Sequence, residues 1–192
     1  MNWINPKIDW KTGATPGPGD FNRIEGNIFL PRMQVFLESG SFVSLDGIVD
    51  YWITMCGAGG GGNYNSGSAI SFGGSGAAAY YRKKISVIQN ETISITVGVG
   101  GGVGVTGGTS SFGAYLSCPG GGGSPGNGPV LPGGDGGEAG TPDHGGFSLF
   151  GVGARYSTNV NLRNVAGGYG SGGYGNVSPY CNGASGVVIV EW

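Results

Sequence analysis

The residues of this chain most able to do chemistry are three acids and its single histidine. Asp135, Glu138, Asp143 and His144 fall together in a stretch that is rich in glycine. Glycosidases need two carboxylates at a defined separation, held on rigid elements. Because a glycine-rich loop holds such a distance poorly, we interpret these acids as solvated loop charges.

Other catalytic and metal-binding patterns are equally weak. A Ser-His-Asp arrangement would use Asp143 and His144, with Ser124 or Ser171 from other glycine-rich stretches, but we do not interpret these serines as nucleophiles. One histidine cannot build a multi-histidine metal site, and the acids lack the alternating pattern of a calcium loop. No Gly-Lys-Ser/Thr follows the glycine runs, as a phosphate loop requires. The sequence therefore predicts a protein that is not an enzyme and uses no metal or cofactor.

Binding is the chemistry that the composition favours. Tyrosine, serine, glycine and asparagine mixed in loops are typical of antibody paratopes, where aromatic rings supply contact area at low entropic cost. The alternative for each such residue is packing against glycine or at a subunit interface. The candidate binding residues are Tyr64, Asn65, Phe72, His144, Tyr169, Tyr174, Asn176 and Tyr180.

Glycine accounts for 46 of the 192 residues and recurs at every third position, as at Gly98, Gly101, Gly104 and Gly107. Three residues per turn is the period of the polyproline II helix, which has no internal hydrogen bonds. Disorder is the alternative, but 38% hydrophobic residues and a net charge of −2 disfavour it. We therefore expect the segments 57–76, 98–108, 120–146 and 166–186 to be long loops packed on one another.

Strand patterns begin at Gly40 and position these loops. Residues 42–45 and 48–55 predict one hairpin, and residues 80–87 and 92–97 predict a second. Residues 93, 95 and 97 are expected to share one face of their strand. The apolar closing run 186–192 is expected to be central in a sheet or paired across subunits, whereas the basic run 82–84 indicates a solvated edge.

The N-terminal residues have a different character. Proline at 6, 16 and 18 indicates an extended arm over residues 1–19. Asp20 then reads as the N-cap of one short helix with Phe21, Ile24 and Ile28 on one face. Such a helix is marginal alone and must pack against something, for example its own copy in an oligomer.

Charge, hydropathy and cysteine spacing exclude several classes. A net charge of −2 gives no case for nucleic acid or an anionic membrane. No apolar stretch is long enough to span a bilayer, and the first residues lack the features of a secretion signal. Cys56, Cys118 and Cys181 fit no zinc motif and are expected to be buried thiols, although a Cys118–Cys181 bridge stays open.

Two ordered sets of residues resemble a known family. Trp3, Pro6, Asp9-Trp10 and the run 19–28 resemble the N-terminal signature of tail and baseplate-attached proteins in phages and prophages of Gram-positive bacteria. The runs 52–62, 91–98, 109–113 and 183–192 resemble the glycine-rich domain at the tips of phage tail fibres. Together these runs follow the family's order over nearly the whole chain.

The resemblance implies a mostly β protein at the tip of a virion tail or of a phage-tail-like particle. An antiparallel β-sandwich head with glycine-rich, partly polyproline II-like loops would occupy residues 40–192 and bind a saccharide or protein on the host surface. The arm and helix of residues 1–39 would attach to tail or baseplate proteins and assemble a homotrimer. The expected attachment residues are Trp3, Trp10, Phe21, Ile24 and Ile28.

Three alternatives to an adhesin remain at this point. A purely structural tail-tip subunit would share the fold without touching a receptor. An ice-binding protein could present a flat face of glycine-rich polyproline II helices, but it would not account for the N-terminal signature. A cell-wall hydrolase would have to use the weakly placed acids.

Overall fold

The computed structural model describes residues 32–65, 70–124, 144–154, 167–174 and 182–192. The chain is mostly β, every strand pair is antiparallel, and the described residues contain no helix. The strands are β1 (Met33–Phe36), β2 (Gly40–Val43), β3 (Asp50–Cys56), β4 (Asn63–Asn65), β5 (Ile70–Phe72), β6 (Ala79–Ser86), β7 (Thr92–Thr96), β8 (Ser110–Phe112), β9 (Leu116–Cys118), β10 (Phe150–Val152), β11 (Gly167–Tyr169) and β12 (Val187–Glu191).

The first four-stranded sheet has the order β1-β12-β3-β6. The apolar strand β12 pairs with β1 on one side and with β3 on the other, so the prediction that it is central is confirmed. Strand β6 carries Arg82, Lys83 and Lys84 at the edge, as predicted, and its pairing with β3 shifts register opposite Ile53 and Met55. Arg82 lies at this irregularity with a positive φ of 45°.

The second four-stranded sheet has the order β2-β7-β8-β9. Strand β7 alternates between exposed and buried positions, with Ile93 and Ile95 buried at 2% and 1% exposure. Val97, which follows β7, is also buried, so the predicted common face is confirmed. Period-two alternation of this kind indicates a strand with one face on a core.

Both sheets contribute to one hydrophobic core. Tyr51, Ile53 and Met55 from β3 are fully buried together with Phe112 from β8. The Phe42 ring meets the Tyr51 ring edge-on, with 5.3 Å between centroids, a preferred geometry for aromatic pairs. Burial of this set stabilises the fold by the usual hydrophobic effect.

The two predicted hairpins are wrong. Strand β2 pairs with β7, whereas β3 pairs with β12 and β6, so the turn at Asp46 and Gly47 crosses between sheets. In the same way β6 and β7 belong to different sheets, although they are neighbours in sequence. In both cases burying an apolar face in the shared core outweighs the pairing that a short connection would allow.

Of the predicted attachment region 1–39, the structure describes residues 32–39. Strand β1 falls within the predicted attachment region 1–39, yet it pairs with β12 in the first sheet. The predicted arm, the predicted helix and the five predicted attachment residues lie outside the described residues.

The two ends of the sheets differ in what they carry. At one end the Trp192 amide donates to the carbonyl of Arg32 at 3.1 Å, so the C-terminus lies beside the start of β1. At the other end Cys56 of β3 pairs with Val187 of β12 and with Ala79 of β6, and glycine-rich chain follows β3 and precedes β6 and β12. We call this second end the glycine end.

Candidate binding end of the molecule

The glycine end is built from segments that directly continue the sheet strands. Residues 57–62 follow β3, residues 73–78 precede β6, and residues 98–108 join β7 to β8. Residues 119–124 follow β9, and residues 182–186 precede β12. Residues 170–173, which follow β11, complete the set, and together we call these segments the glycine cluster.

The segment 57–62 lies at the centre of the glycine cluster. Its backbone amides donate to different neighbouring segments in turn, and the order repeats every three residues. The amides of Gly57 and Gly60 both donate to segment 73–78, and those of Ala58 and Gly61 both donate to segment 104–108. The amide of Gly59 donates to Ala184, in segment 183–186, at 2.8 Å. A β-strand would alternate between two neighbours, so these residues do not behave as a strand.

The acceptors of segment 57–62 follow the same period and reach three further segments. The carbonyls of Ala58 and Gly61 accept from segment 119–124, that of Gly59 from segment 98–102, and that of Gly60 from segment 170–173. Segment 98–108 thus contacts the central segment through two separate parts, 98–102 and 104–108, and with the other four segments this gives six hydrogen-bonded neighbours.

The six neighbours also bond to one another in a closed ring. Going round the ring, each adjacent pair is joined by at least one backbone hydrogen bond. One bond for each pair is Ser75 N to Gly122 O, Gly107 N to Gly121 O, Gly108 N to Val99 O, Gly183 N to Gly101 O, Ala184 N to Ser171 O and Gly74 N to Gly173 O, all at 2.8 to 2.9 Å. Buried backbone groups must be paired, and this ring satisfies them without a sheet or a helix.

Close approach of backbones explains why the central segment is nearly all glycine. A Cβ added at Gly59 would overlap the carbonyl of Ser171, and one added at Gly61 would overlap the carbonyl of Gly102. A Cβ added at Gly102 itself would meet nothing within 4 Å. The need for glycine is thus set by position in the cluster and not by a general demand for flexibility.

Several predicted receptor-binding residues occupy the far side of the glycine cluster, away from the sheets. Tyr64 and Asn65 lie in β4 and Phe72 in β5, a two-stranded hairpin that follows the central segment. A Cβ at Gly73 would overlap the carbonyl of His144, which places His144 next to the end of β5. The structure therefore brings the backbones of these four residues together.

The remaining predicted residues are placed differently. Tyr174 follows Gly173, whose carbonyl bonds to Gly74, but its side chain is only 6% exposed. Tyr169 is 38% exposed in β11, which pairs with β10 beside the cluster. Asn176 and Tyr180 lie outside the described residues.

His144 is half-buried, and its ring contacts residues close to it in sequence. Its Nδ1 lies 2.9 Å from the carbonyl oxygen of Gly145, and its ring packs on Phe147 with 5.2 Å between centroids. The acids Asp135, Glu138 and Asp143 lie outside the described residues. In the part of the chain that is described, no three His, Cys, Asp or Glu side chains gather where a metal could bind.

Residues 122–126 read Gly-Gly-Ser-Pro-Gly and give Ser124 the Gly-x-Ser-x-Gly spacing of a nucleophile elbow, contrary to our interpretation of the sequence. That motif works where a strand turns sharply into a helix and exposes the serine. Here Ser124 ends a segment bonded to Gly61, and its Oγ is buried and finds no hydrogen-bond partner in the described residues. The surroundings are thus not those of an exposed nucleophile.

Three exposed valines are the feature that the sequence analysis missed. Val99, Val103 and Val105 are 76%, 54% and 56% exposed on the turn that joins β7 to β8 through the glycine cluster. The sequence pattern of valine between glycines could have predicted this exposure, because glycines have no side chain to cover a neighbouring valine. Asn182, also exposed, borders the same end of the molecule.

The cysteines lie beneath the cluster. Cys56 is buried, and its burial raises the pKa of its thiol to about 12. Cys118 is buried with its Sγ 2.9 Å from the carbonyl oxygen of Ala78. Cys181 lies outside the described residues, so the Cys118–Cys181 bridge stays untested.

Comparisons with known proteins add no relative. No family model matches the chain, and no curated protein matches its sequence. Within the described ranges no helix is long and apolar enough to cross a membrane.

Proposed function

We propose that the protein is a non-catalytic adhesin at the tip of a phage tail or phage-tail-like particle, which binds a saccharide or protein receptor on the host cell surface. The observation that carries this proposal is that the two ends of the molecule differ. The start of β1 and the C-terminal Trp192 meet at one end, while the glycine cluster and four candidate receptor residues occupy the other. An attached receptor-binding protein needs two such opposed ends.

The fold that we propose in detail is a β-sandwich head whose glycine cluster is a bundle of polyproline II helices. The shared core of the two four-stranded sheets supports the sandwich. The three-residue period of hydrogen-bond partners around segment 57–62 supports the polyproline II geometry, since that helix has three residues per turn and leaves its backbone groups free. A stiff bundle of this kind holds the loops at its far side.

The proposal also assigns the N-terminal residues a role. Residues preceding β1 would attach the head to tail or baseplate proteins and assemble the chains, for which the resemblance implies three copies. Their connection to the head at the end opposite the glycine cluster is the geometry that such attachment needs.

Blocking each end separately tests the proposal. An epitope tag inserted after Val103 reports on the glycine end, and the same tag after Gln89 reports on the opposite end, since both lie in exposed turns. Labelled full-length protein would be incubated with a panel of intact Gram-positive cells and with their purified walls, with and without an anti-tag Fab. We expect the Fab to abolish binding only when the tag follows Val103.

Each other outcome argues for a different function. No binding to any cell or wall would favour a purely structural tail-tip subunit. Binding blocked only through the tag after Gln89 would contradict the assignment of the glycine end. Release of sugars or peptides from the walls would indicate a hydrolase, and thermal hysteresis would indicate an ice-binding protein.

A further inference from the structure

The glycine cluster carries no charge on the segments that the structure describes. Its six segments and the adjoining hairpin of β4 and β5 contain no Asp, Glu, Lys or Arg. Anionic polymers and anionic lipid surfaces are attracted by clusters of cations, so the described part of this end does not fit either partner. The charged residues of the described chain lie in other segments and are Arg32, Glu38, Asp46, Asp50, Arg82, Lys83, Lys84, Glu91 and Glu191.

Many backbone amides of segment 98–108 are already used inside the protein. The amide of Gly98 donates to the hydroxyl of Ser110 at 3.0 Å. Five more amides donate to backbone carbonyls at 2.8 to 3.0 Å, namely those of Gly101, Gly104, Val105, Gly107 and Gly108. These donors are not available to a ligand, so the side chains of the segment must supply much of any contact.

The side chains that this segment presents to solvent are aliphatic. Val99, Val103 and Val105 are 76%, 54% and 56% exposed. The two parts of the segment that carry them lie side by side, since the amide of Gly108 donates to the carbonyl of Val99 and that of Val105 donates to the carbonyl of Gly102. Exposed apolar groups gathered in one place mark a contact with another macromolecule.

The valines favour a protein over a saccharide as that macromolecule. A sugar presents hydroxyls on most sides, and a hydroxyl pressed against a methyl group loses its hydrogen bond to water without replacing it, which costs free energy. Of the candidate rings on which a sugar could stack, Tyr174 is only 6% exposed and His144 packs on Phe147. A protein surface can instead offer apolar groups that leave water together with the valines.

We propose that the receptor contact of the glycine end is an uncharged, apolar patch on a cell-surface protein, which covers Val99, Val103 and Val105. This inference rests on the proposed function and narrows its receptor from a saccharide or protein to a protein. Burial of apolar surface supplies the affinity, so binding is insensitive to salt, which screens only charges.

Paired valine variants of the full-length chain test the contact. Threonine keeps the shape of valine but replaces one methyl group by a hydroxyl. Labelled Val103→Thr with Val105→Thr would be titrated on the intact Gram-positive cells that wild type binds, and we expect an affinity about tenfold lower. The matched control is Val43→Thr with Val49→Thr, two valines that are 54% and 44% exposed outside the glycine cluster, and it should bind as wild type does.

Two further measurements identify the kind of receptor. Cells treated with a protease before the labelled protein is added should lose binding, and purified walls freed of protein should bind none. Raising the NaCl concentration from about 0.15 M to about 1 M shortens the screening length from about 8 Å to about 3 Å and should leave binding unchanged. Equal urea midpoints for wild type and both variants show that a loss of affinity is not a loss of fold.

The outcomes separate this inference from the proposed function. Binding to protease-treated cells or protein-free walls as strong as to intact cells would overturn the inference and leave the adhesin standing. So would equal affinities of wild type and the variant at 103 and 105, or a loss of binding at high salt. Binding of wild type to no cell at all would contradict the proposed function, and this inference with it.

Discussion

Gly61 and Gly102 lie in contact, and alanine at each position can show whether the fold needs glycine there for space or for flexibility. Gly61→Ala would push a Cβ into the carbonyl of Gly102, and a backbone atom cannot rotate away as a side chain can. Overpacking of this kind typically costs about 1 to 3 kcal/mol or more. We therefore expect Gly61→Ala to lower the free energy of unfolding by at least this amount, measured by urea denaturation.

Gly102→Ala is the matched control for that variant. Its Cβ would meet nothing within 4 Å, so the change in stability should lie within about 1 kcal/mol and could be a gain, because alanine restricts the unfolded chain. Equal losses in the two variants would mean that the close backbone contact at Gly61 does not govern stability.

The Cys56 thiol gives the fold a specific dependence on alkaline pH. Burial raises the pKa of this thiol from 9.0 to about 12, so above pH 9 the unfolded chain loses its proton before the folded one does. The contribution of the protonated Cys56 thiol to the free energy of unfolding is fully present below pH 9. It falls as pH rises toward 12, by up to about 1.4 kcal/mol per pH unit.

Urea denaturation of wild type and Cys56→Ala at pH 8 and pH 10.5 measures this contribution. We expect wild type to lose more stability than the variant between these two values. Tyrosines also titrate in this range, but they are common to both proteins and cancel in the difference. An equal loss of stability in the two proteins would show that the pKa of Cys56 is the same in the folded and the unfolded chain.

At the scale of elements, strand β7 offers a direct test of the shared core. Ile95 is 1% exposed, and the neighbouring Ser94 faces the opposite, exposed side. Ile95→Ala should cost about 2 to 5 kcal/mol, because it leaves a cavity between the sheets, whereas Ser94→Ala should change stability by less than about 0.5 kcal/mol. Comparable effects in urea denaturation would contradict the placement of these two faces.

Composition predicted the environment of single strands but not which strands pair. The apolar run of β12 and the basic run of β6 correctly indicated a central and an edge position, because burial and charge are local properties. The prediction of two hairpins was wrong because two strands joined by a short connection can either pair with each other or lie in different sheets. Only the whole set of apolar faces decides between these outcomes.

The candidate binding end shows the same limit. Three-residue glycine spacing predicted that the segments pack on one another, and hydrogen bonds join those parts of the segments that the structure describes. The spacing held no information about which segment is central, since every glycine run has a similar pattern. It also did not predict the exposed valines at 99, 103 and 105, because their exposure depends on how the segments pack and not on the glycine spacing.

At the scale of the whole molecule, the glycine cluster should unfold together with the sheets. Six of its boundaries continue strands of both sheets, and its central segment bonds to six neighbours drawn from distant parts of the chain. Opening the centre therefore requires several segments to separate at once. Such a segment belongs to the most stable cooperative unit of a protein.

Amide hydrogen exchange measures this cooperativity directly. All five amides from Gly57 to Gly61 donate backbone hydrogen bonds and their residues are buried, so we expect them to exchange as slowly as the amides of β3 and β12. Val103, exposed in the turn of the same cluster, should exchange far faster and serves as the internal control. Exchange of Gly57–Gly61 within seconds at neutral pH, at the rate of Val103, would mean that the cluster opens independently of the sheets and cannot hold a binding surface in place.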